Sequence, residues 1–183
     1  MEAIEQLVDV DAFEEFIARP ENRHRLFELI DGRIFEKLPT QVHGSVTAYI
    51  SYFLIGYVES GHPGRVGVEV RHRPARDFRN DRIPDVVLNQ DVSSPMVDAG
   101  PVLGMPALAV EIKSPDDSLK EMVDAANYYL QNGCKMVWLI YPERQLIEVL
   151  TPDKRDFFGI EDTLTGGDVL PGLEIPVRKV FIG

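Results

Sequence analysis

Apolar residues recur at helical spacing in two segments of the first third of the chain. Val10–Ala18 is predicted to be a helix that has Asp9 or Asp11 as its N-cap and ends before a proline. Gln41–Ser60 is predicted to be a longer helix, which the Gly61, Pro63 and Gly64 region ends. The apolar face of this second helix comprises Val42, Val46, Tyr49, Ile50, Phe53 and Tyr57.

Other segments have the composition of strands. Leu26–Ile30 and Ile34–Lys37 are short apolar runs on either side of Asp31-Gly32-Arg33, and Asp-Gly between such runs is typical of a β-hairpin. In Arg65–Arg71 valines alternate with polar residues, as in a half-buried strand. Two further predicted strands are Ile83–Leu88 and the strongly apolar Ala107–Lys113, which we expect to be central.

The second half continues the alternation of helices and strands. The segment 89–106 is rich in Asp, Ser, Pro and Gly, which predicts a surface loop. Ser118–Asn132 is predicted to be a helix with Gly133 as its C-terminal stop, and Lys135–Tyr141 and Gln145–Thr151 form a late hairpin. This order predicts an α/β (mixed α+β) fold in which helices pack against one mixed sheet, with residues 1–183 forming a single domain.

Composition narrows the class of protein. The chain has no apolar run of the length that a membrane helix requires, and residues 1–11 lack the pattern of a signal peptide. Cys134 is the single cysteine, which excludes an internal disulfide. We therefore expect a cytoplasmic protein with no membrane association.

The net charge of −11 opposes a role in DNA binding, because Lys and Arg must replace the counterions of phosphate. A local basic cluster could still attract DNA, or it could be an ordinary solvated surface with interspersed acidic residues, and the sequence leaves both interpretations open. The cluster surrounds His72 and comprises Arg65, Arg71, Arg73, Arg76, Arg79 and Arg82.

Glu28 interrupts an apolar strand. It shares a strand face with Leu26 and Ile30, and a carboxylate facing inward among aliphatic residues needs a partner. If that face is open, Glu28 lies in water, and Phe27 and Leu29 are apolar enough to form the buried face instead. Periodicity leaves both interpretations open.

Asp85 presents a similar choice. It shares a predicted strand face with Ile83 and Val87. The alternative is a turn before the strand, because Pro-Asp is a common turn pair.

Glu111 and Lys113 flank Ile112 in a predicted central strand, so that alternation places both charged side chains on one face. The two charges could form a structural ion pair, or they could act on something bound. If the strands are neighbours, Glu28, Asp85 and Glu111 converge, and their mutual repulsion favours a divalent cation. Carboxylate oxygens suit Mg²⁺ or Mn²⁺, and Lys113 could orient or deprotonate an attacking water.

His43 begins the long helix, and its helical neighbours suggest that it faces inward. A histidine there could contact phosphate or relay a proton. It could equally be a structural residue of the core.

Taken together, these motifs resemble the Uma-type restriction endonucleases of the PD-(D/E)XK nuclease superfamily. The resemblance extends from about Asp11 to the final strands, including Leu170-Pro-Gly-Leu. Its motifs are Glu28-Leu-Ile-Asp-Gly-Arg-Ile, His43, Pro84-Asp85-Val-Val, Val110-Glu111-Ile-Lys113-Ser-Pro, Gly133 and Trp138-Leu-Ile-Tyr-Pro.

The resemblance implies a restriction-endonuclease-like mixed sheet flanked by helices, Mg²⁺-assisted hydrolysis of DNA, and a homodimer. It implies that Asp85 and Glu111 are metal ligands supported by Glu28, that His43 lies near the metal, and that Lys113 handles the attacking water. The chain departs from the family at Ala125, where many members have a helix lysine.

The leading hypothesis is therefore a Mg²⁺-dependent DNA endonuclease for which Mn²⁺ can substitute. The alternative is a non-catalytic nucleic-acid-binding or regulatory protein that retains the nuclease fold, which the net charge favours. A third hypothesis is a metal hydrolase acting on small phosphate esters.

Overall fold

The computed structural model describes residues 7–181, so the predicted single domain extends to residues 1–6 and 182–183, which lie outside it. The α-helices of the described part are α1 (Val10–Ile17), α2 (Gln41–Glu59) and α3 (Leu119–Gln131). Each begins where a side chain accepts a hydrogen bond from a first-turn N–H group: Asp9 for α1, Thr40 for α2 and Ser118 for α3. All three predicted helices are confirmed.

The strands are short and numerous. They are β1 (Leu26–Ile30), β2 (Arg33–Lys37), β3 (Arg65–Val68), β4 (His72–Arg73), β5 (Val86–Asn89), β6 (Val102–Leu103), β7 (Leu108–Ile112), β8 (Met136–Tyr141), β9 (Leu146–Leu150), β10 (Arg155–Phe158), β11 (Thr163–Thr165) and β12 (Glu174–Pro176). Six of them form one mixed sheet in the order β10-β9-β8-β7-β5-β3, in which only β7 and β8 are parallel neighbours. The prediction that the strand containing Glu111 is central is therefore confirmed.

The helices α2 and α3 cover opposite faces of this sheet. Ile50 and Leu54 of α2 belong to the core that contains Trp138, whereas Ala126 and Tyr129 of α3 pack in a second core against the other face. Every residue of β8 is buried, as expected for a strand covered on both faces. Each fully buried aliphatic side chain contributes roughly 1.5–3 kcal/mol relative to an exposed one.

The hairpin β1–β2 stands apart from the main sheet. Its turn consists of Asp31 and Gly32, with φ angles of 50° and 82°, and the strands resume at Arg33, so the turn is one residue shorter than predicted. Backbone hydrogen bonds in both directions between Leu29 and Asp81 tie the hairpin to the segment that leads into β5. The hairpin is thereby held over the edge of the sheet where the charged residues meet.

Three details of the predicted strands and helix are corrected. The strand predicted for Arg65–Arg71 ends at Val68, because Glu69 adopts a left-handed conformation with φ 54°. The predicted loop 89–106 contains β6, which pairs in parallel with β4. Val42, assigned to the apolar face of α2, is 57% exposed because the buried stripe begins at His43.

Within residues 7–181, no helix is long and apolar enough to cross a bilayer.

Candidate active site

A cavity of about 420 Å³ opens where the β1–β2 hairpin, the start of α2, the ends of β5 and β7, and α3 meet. Its lining includes four of the five residues that the sequence singles out: Glu28, His43, Asp85 and Glu111. The structure therefore brings the three carboxylates to one place, as the sequence predicted.

Asp85 lies directly before β5, as in the interpretation that placed it in a turn, yet its side chain is buried. Its Oδ2 accepts a hydrogen bond of 2.7 Å from the Ile112 N–H and lies 3.0 Å from His43 Nε2, while Oδ1 accepts one of 2.6 Å from Lys37 Nζ. Burial would raise the pKa of this carboxyl, but Lys37 and His43 together hold the pKa below its ordinary value. Asp85 is therefore a fixed anion at the centre of the site.

Glu111 lies on the face of β7 that packs against α3. Its Oε1 accepts a hydrogen bond of 2.5 Å from the Tyr129 hydroxyl, and its Oε2 lies 3.9 Å from Lys37 Nζ. Burial is the main cause that raises the pKa of Glu111 to about 8, and the charges of Asp85 and Glu28 add to it against the opposing effect of Lys37. This carboxyl therefore holds a proton more readily than Asp85 does.

Glu28 faces inward, which decides between the two interpretations of its strand. Its Oε1 accepts a hydrogen bond of 2.7 Å from the Ile83 N–H and lies 3.5 Å from Arg82 Nε. The Arg82 guanidinium lies over the rings of Tyr128 and Tyr129, at 5.4 and 5.5 Å from their centroids. Arg82 is thus a buried counter-charge for Glu28.

His43 is buried in the first turn of α2, where its backbone N–H donates to the Thr40 hydroxyl. The prediction that it faces inward is confirmed, and Asp85 is the group that it faces. The N-cap residue Thr40 therefore holds the backbone of His43 in place at the cavity wall.

Lys37, the last residue of β2, is a member of the site that the sequence interpretation missed. Its Nζ donates hydrogen bonds of 2.6 Å to the Ile83 carbonyl and to Asp85 Oδ1, and its side chain is only 17% exposed. Burial would lower the pKa of Lys37, but Glu111, Asp85 and Glu28 outweigh burial and raise it above the ordinary value. Lys37 and Arg82 therefore offset part of the negative charge of the three carboxylates.

The hairpin turn was the signal that could have revealed Lys37. A two-residue turn at Asp31-Gly32 pairs Glu28 with Phe35 and Leu26 with Lys37. Paired residues share a face, so Lys37 lies on the same face as Glu28. An inward Glu28 therefore implies an inward Lys37.

Lys113 does not line the cavity. Regular strand structure in β7 ends at Ile112, and Lys113 Nζ donates a hydrogen bond of 2.9 Å to the Ser114 carbonyl. The described residues that line the cavity include Ile112 and Ser114 but not Lys113. The catalytic role assigned to Lys113 stays a prediction.

The donor set agrees with Mg²⁺ in kind, because Glu28, Asp85 and Glu111 offer the carboxylate oxygens that this ion prefers. Within residues 7–181, however, no group of three or more His, Cys, Asp or Glu side chains has an arrangement ready to hold a metal ion. The Lys37 ammonium lies between Asp85 and Glu111 and supplies positive charge there. Binding of a metal at these carboxylates would require Lys37 to move or to share them.

The rest of the cavity wall is strongly acidic. Carboxylates of the hairpin, of the segment leading into α3 and of α3 itself also line the cavity: Asp31, Glu36, Asp116, Asp117, Glu121 and Asp124. Such a wall attracts cations and repels the phosphates of nucleic acid.

Most arginines of the cluster form ion pairs or hydrogen bonds with other groups of the protein. Arg71 and Arg73 each bond to both Glu14 and Asp81, and Arg82 lies beside Glu28. Arg65 donates to the carbonyls of Val92 and Ser94. The exposed members are Arg76 and Arg79, so the cluster is mainly a set of internal ion pairs and backbone contacts.

The comparisons with known proteins agree with this architecture. The model of the Uma2 family, described as "Putative restriction endonuclease", matches residues 13–178 of the chain. The chain is similar to the crystal structure of a "putative nuclease belonging to DUF820" from Anabaena variabilis ATCC 29413, with a TM-score of 0.76, 22% identity, and coverage of 92% of this chain and 96% of that chain. An identity this low shows a shared fold alone, and no curated protein matches the chain. The predicted restriction-endonuclease-like mixed sheet flanked by helices is confirmed.

Proposed function

This chain belongs to the Uma2 family, and we propose that it is a Mg²⁺-dependent endonuclease that hydrolyses phosphodiester bonds of DNA, with Mn²⁺ as a possible substitute. The observation that carries this proposal is the convergence of Glu28, Asp85 and Glu111 on one cavity at the ends of two neighbouring strands. Membership of the family and the nuclease-like fold of the solved neighbour support a nuclease.

Asp85 and Glu111 are the proposed ligands of the metal ion, with Glu28 as a supporting carboxylate. When bound, the ion supplies Lewis-acid polarisation of the phosphodiester and lowers the pKa of a coordinated water. His43 holds Asp85 in position through its contact with Oδ2 and is close enough to the carboxylates to contact a phosphate or relay a proton. Lys113 stays the proposed group that orients the attacking water, from its position next to the cavity residue Ser114.

In the proposed reaction, the oxygen of water forms a bond to phosphorus while the bond from phosphorus to one ester oxygen breaks. The proton of the water passes to a base, and the departing oxygen gains a proton to become a hydroxyl. The protein contributes a buried and charged environment in which fixed groups act more strongly than they do in water.

Cleavage of plasmid DNA in Mg²⁺ or Mn²⁺ tests the proposal. We expect Asp85→Asn and Glu111→Gln to lower the cleavage rate by about 10²-fold or more, because each replaces a proposed carboxylate ligand of the metal by a neutral amide. Asp98→Asn is a matched control, since Asp98 is an exposed carboxylate of the 89–106 segment, and it should cleave at the wild-type rate. Equal rates for all four proteins would contradict the assignment of the site.

A second candidate function is that of a non-catalytic nucleic-acid-binding or regulatory protein. The acidic cavity wall and the net charge of −11 favour it. Calorimetric titration separates the two candidates, because a nuclease should bind Mg²⁺ or Mn²⁺ with a heat that Asp85→Asn abolishes. A wild-type protein that takes up neither ion, with DNA present or absent, would support the second candidate.

We also propose that the protein is a cytoplasmic homodimer, since two active sites can then address the two strands of a duplex. Sedimentation velocity over a range of concentrations tests the dimer, and a single monomeric species throughout would contradict it.

A further inference from the structure

The lysine that lies among the carboxylates of the cavity comes from the hairpin. Lys37 Nζ lies 2.6 Å from Asp85 and 3.9 Å from Glu111, whereas Lys113 Nζ donates to a backbone carbonyl at the rim. We propose that Lys37 is a further active-site lysine of this protein and contacts a non-bridging oxygen of the scissile phosphodiester, a role distinct from the one proposed for Lys113. This inference rests on the proposed nuclease function.

The number of donors on Lys37 supports a contact with substrate. An ammonium group has three N–H donors. The hydrogen bonds recorded for Lys37 within the described residues use two of them, one to the Ile83 carbonyl and one to Asp85. Because Glu111 at 3.9 Å is beyond hydrogen-bonding distance, a third donor is left on Lys37, which lines the cavity. It is available to an oxygen of a bound phosphodiester.

The other lysines near this part of the chain are less well placed. Lys37 is the one lysine among the described residues that line the cavity. Lys120, at the start of α3, is exposed and pairs with Asp124 on its own helix. Ala125, on the same helix, lines the cavity and carries no charge.

The hairpin fixes Lys37 firmly enough for this role. Lys37 is paired with Leu26 in the register set by the Asp31-Gly32 turn, and its ammonium is held at two points by groups of the segment before β5. If Lys37 shares the carboxylates with the metal ion, its positive charge is already in place to stabilise negative charge that develops on the phosphate.

The test compares Lys37→Met and Lys37→Gln with the matched variant Lys154→Met, which changes an exposed lysine outside the cavity. We expect both Lys37 variants to lose about 10²–10³-fold in kcat, which is the effect of removing one preorganised donor from a developing anion. Lys37→Arg should retain more activity than Lys37→Gln because it keeps the charge. Lys154→Met should stay within about threefold of the wild type, since the Lys154 side chain is exposed, pairs with Asp156 and does not line the cavity.

Affinity for Mn²⁺, measured by calorimetry without DNA, gives a readout that is independent of catalysis. Removal of a positive charge from among three carboxylates should tighten Mn²⁺ binding by about tenfold or more in Lys37→Gln. A purely structural role would have the opposite effect, because disorder of the carboxylates weakens metal binding. Weaker Mn²⁺ binding by Lys37→Gln together with a lower melting temperature would therefore overturn the proposal.

The outcomes for the lysine and for the nuclease are distinguishable. If the wild type cleaves DNA, Asp85→Asn does not, and Lys37→Gln keeps the wild-type rate, the Lys37 proposal is wrong while the nuclease stands. Equal losses of activity in Lys37→Gln and Lys154→Met would show that the effect is not specific to the cavity, and would also contradict the Lys37 proposal. A wild type that cleaves no DNA in either metal would refute the proposed function and the role of Lys37 together.

Discussion

Two clusters of opposite charges are buried in this protein, and they differ in how completely their members are paired. In the cluster between α1 and β4, the carboxylates of Glu14 and Asp81 meet the guanidiniums of Arg71 and Arg73. Asp81 is fully buried, and both of its oxygens accept hydrogen bonds from arginine. Two negative charges face two positive charges, so the formal charges of this cluster balance.

The cluster at the cavity is unbalanced. The carboxylates of Glu28, Asp85 and Glu111 face the cations Lys37 and Arg82, with His43 beside them. It also opens onto a cavity, whereas Asp81 has no exposed surface. Burial of charge is common to both clusters, and the excess of negative charge that opens onto a cavity is what makes the second cluster the candidate for function.

The largest effect on stability is expected from a substitution in the balanced cluster of Glu14, Asp81, Arg71 and Arg73. Asp81→Asn removes the charge that holds Arg71 and Arg73, so we expect the free energy of unfolding to fall by about 3 kcal/mol or more. Urea unfolding at neutral pH measures it. Glu14→Gln is the control, because the Glu14 side chain is 39% exposed and its loss should cost less than about 1 kcal/mol.

The folded fraction of Asp81→Asn at low temperature should still cleave DNA. If this variant unfolds at the same urea concentration as the wild type, the four-residue cluster is not the structural element that we infer. If it loses activity while it remains folded, the distinction between the two clusters fails.

The cavity cluster should make the stability of the protein depend on pH. Because the pKa of Glu111 is raised from 4.5 to about 8, its contribution to stability is complete below the unfolded-state value and is lost as the pH rises through 8. Glu111→Gln, which is neutral at every pH, should therefore match the wild type near pH 5 and be more stable than it near pH 9, by up to a few kcal/mol. Melting temperatures in EDTA across this range measure the difference.

A constant difference between Glu111→Gln and the wild type from pH 5 to pH 9 would show that Glu111 does not titrate in this range. The cavity cluster would then have a smaller excess of negative charge than its geometry indicates. The two clusters would differ less in their charge balance.

The smallest effect is expected on the KM, from substitution of a carboxylate in the acidic wall of the cavity. Asp116 lines the cavity and is exposed, so Asp116→Asn should lower the KM for a short oligonucleotide by about twofold at low salt and leave kcat unchanged. The difference should vanish at high salt, where charges are screened. Asp98→Asn, outside the cavity, is the control, and an equal decrease in KM in that variant would mean that only net charge matters.

Local patterns predicted most of the fold. The helices and the late hairpin followed from apolar periodicity, from caps such as Ser118 and from the stop at Gly133, because these signals act over a few residues. The strand predicted for Arg65–Arg71 was too long, since the left-handed conformation of Glu69 has no signature in the alternation of its neighbours. The arginines of residues 65–82 do not act as one basic patch, because Arg71 and Arg73 pair with Asp81 and with Glu14, which is distant in sequence.

The carboxylates of the candidate site were predictable for a similar reason. Glu28 and Glu111 interrupt apolar strands, and a charge at such a position must find a partner, so the sequence alone marks them as unusual. Asp85 was marked only by its neighbours, and the structure places it in a turn with its side chain inward.

By itself, the sequence determined the mixed α/β architecture, the central strand that carries Glu111 and the set of carboxylates, because each depends on the period of apolar residues or on a charge set among them. Only the tertiary structure decided which cation joins those carboxylates. Lys113 is two residues from Glu111 in sequence but donates to a carbonyl, whereas Lys37 comes from a hairpin folded over the sheet edge and reaches Asp85. The physical reason is that partners of a buried charge are chosen by proximity in space, which the packing of the hairpin sets and the periodicity of a single strand does not.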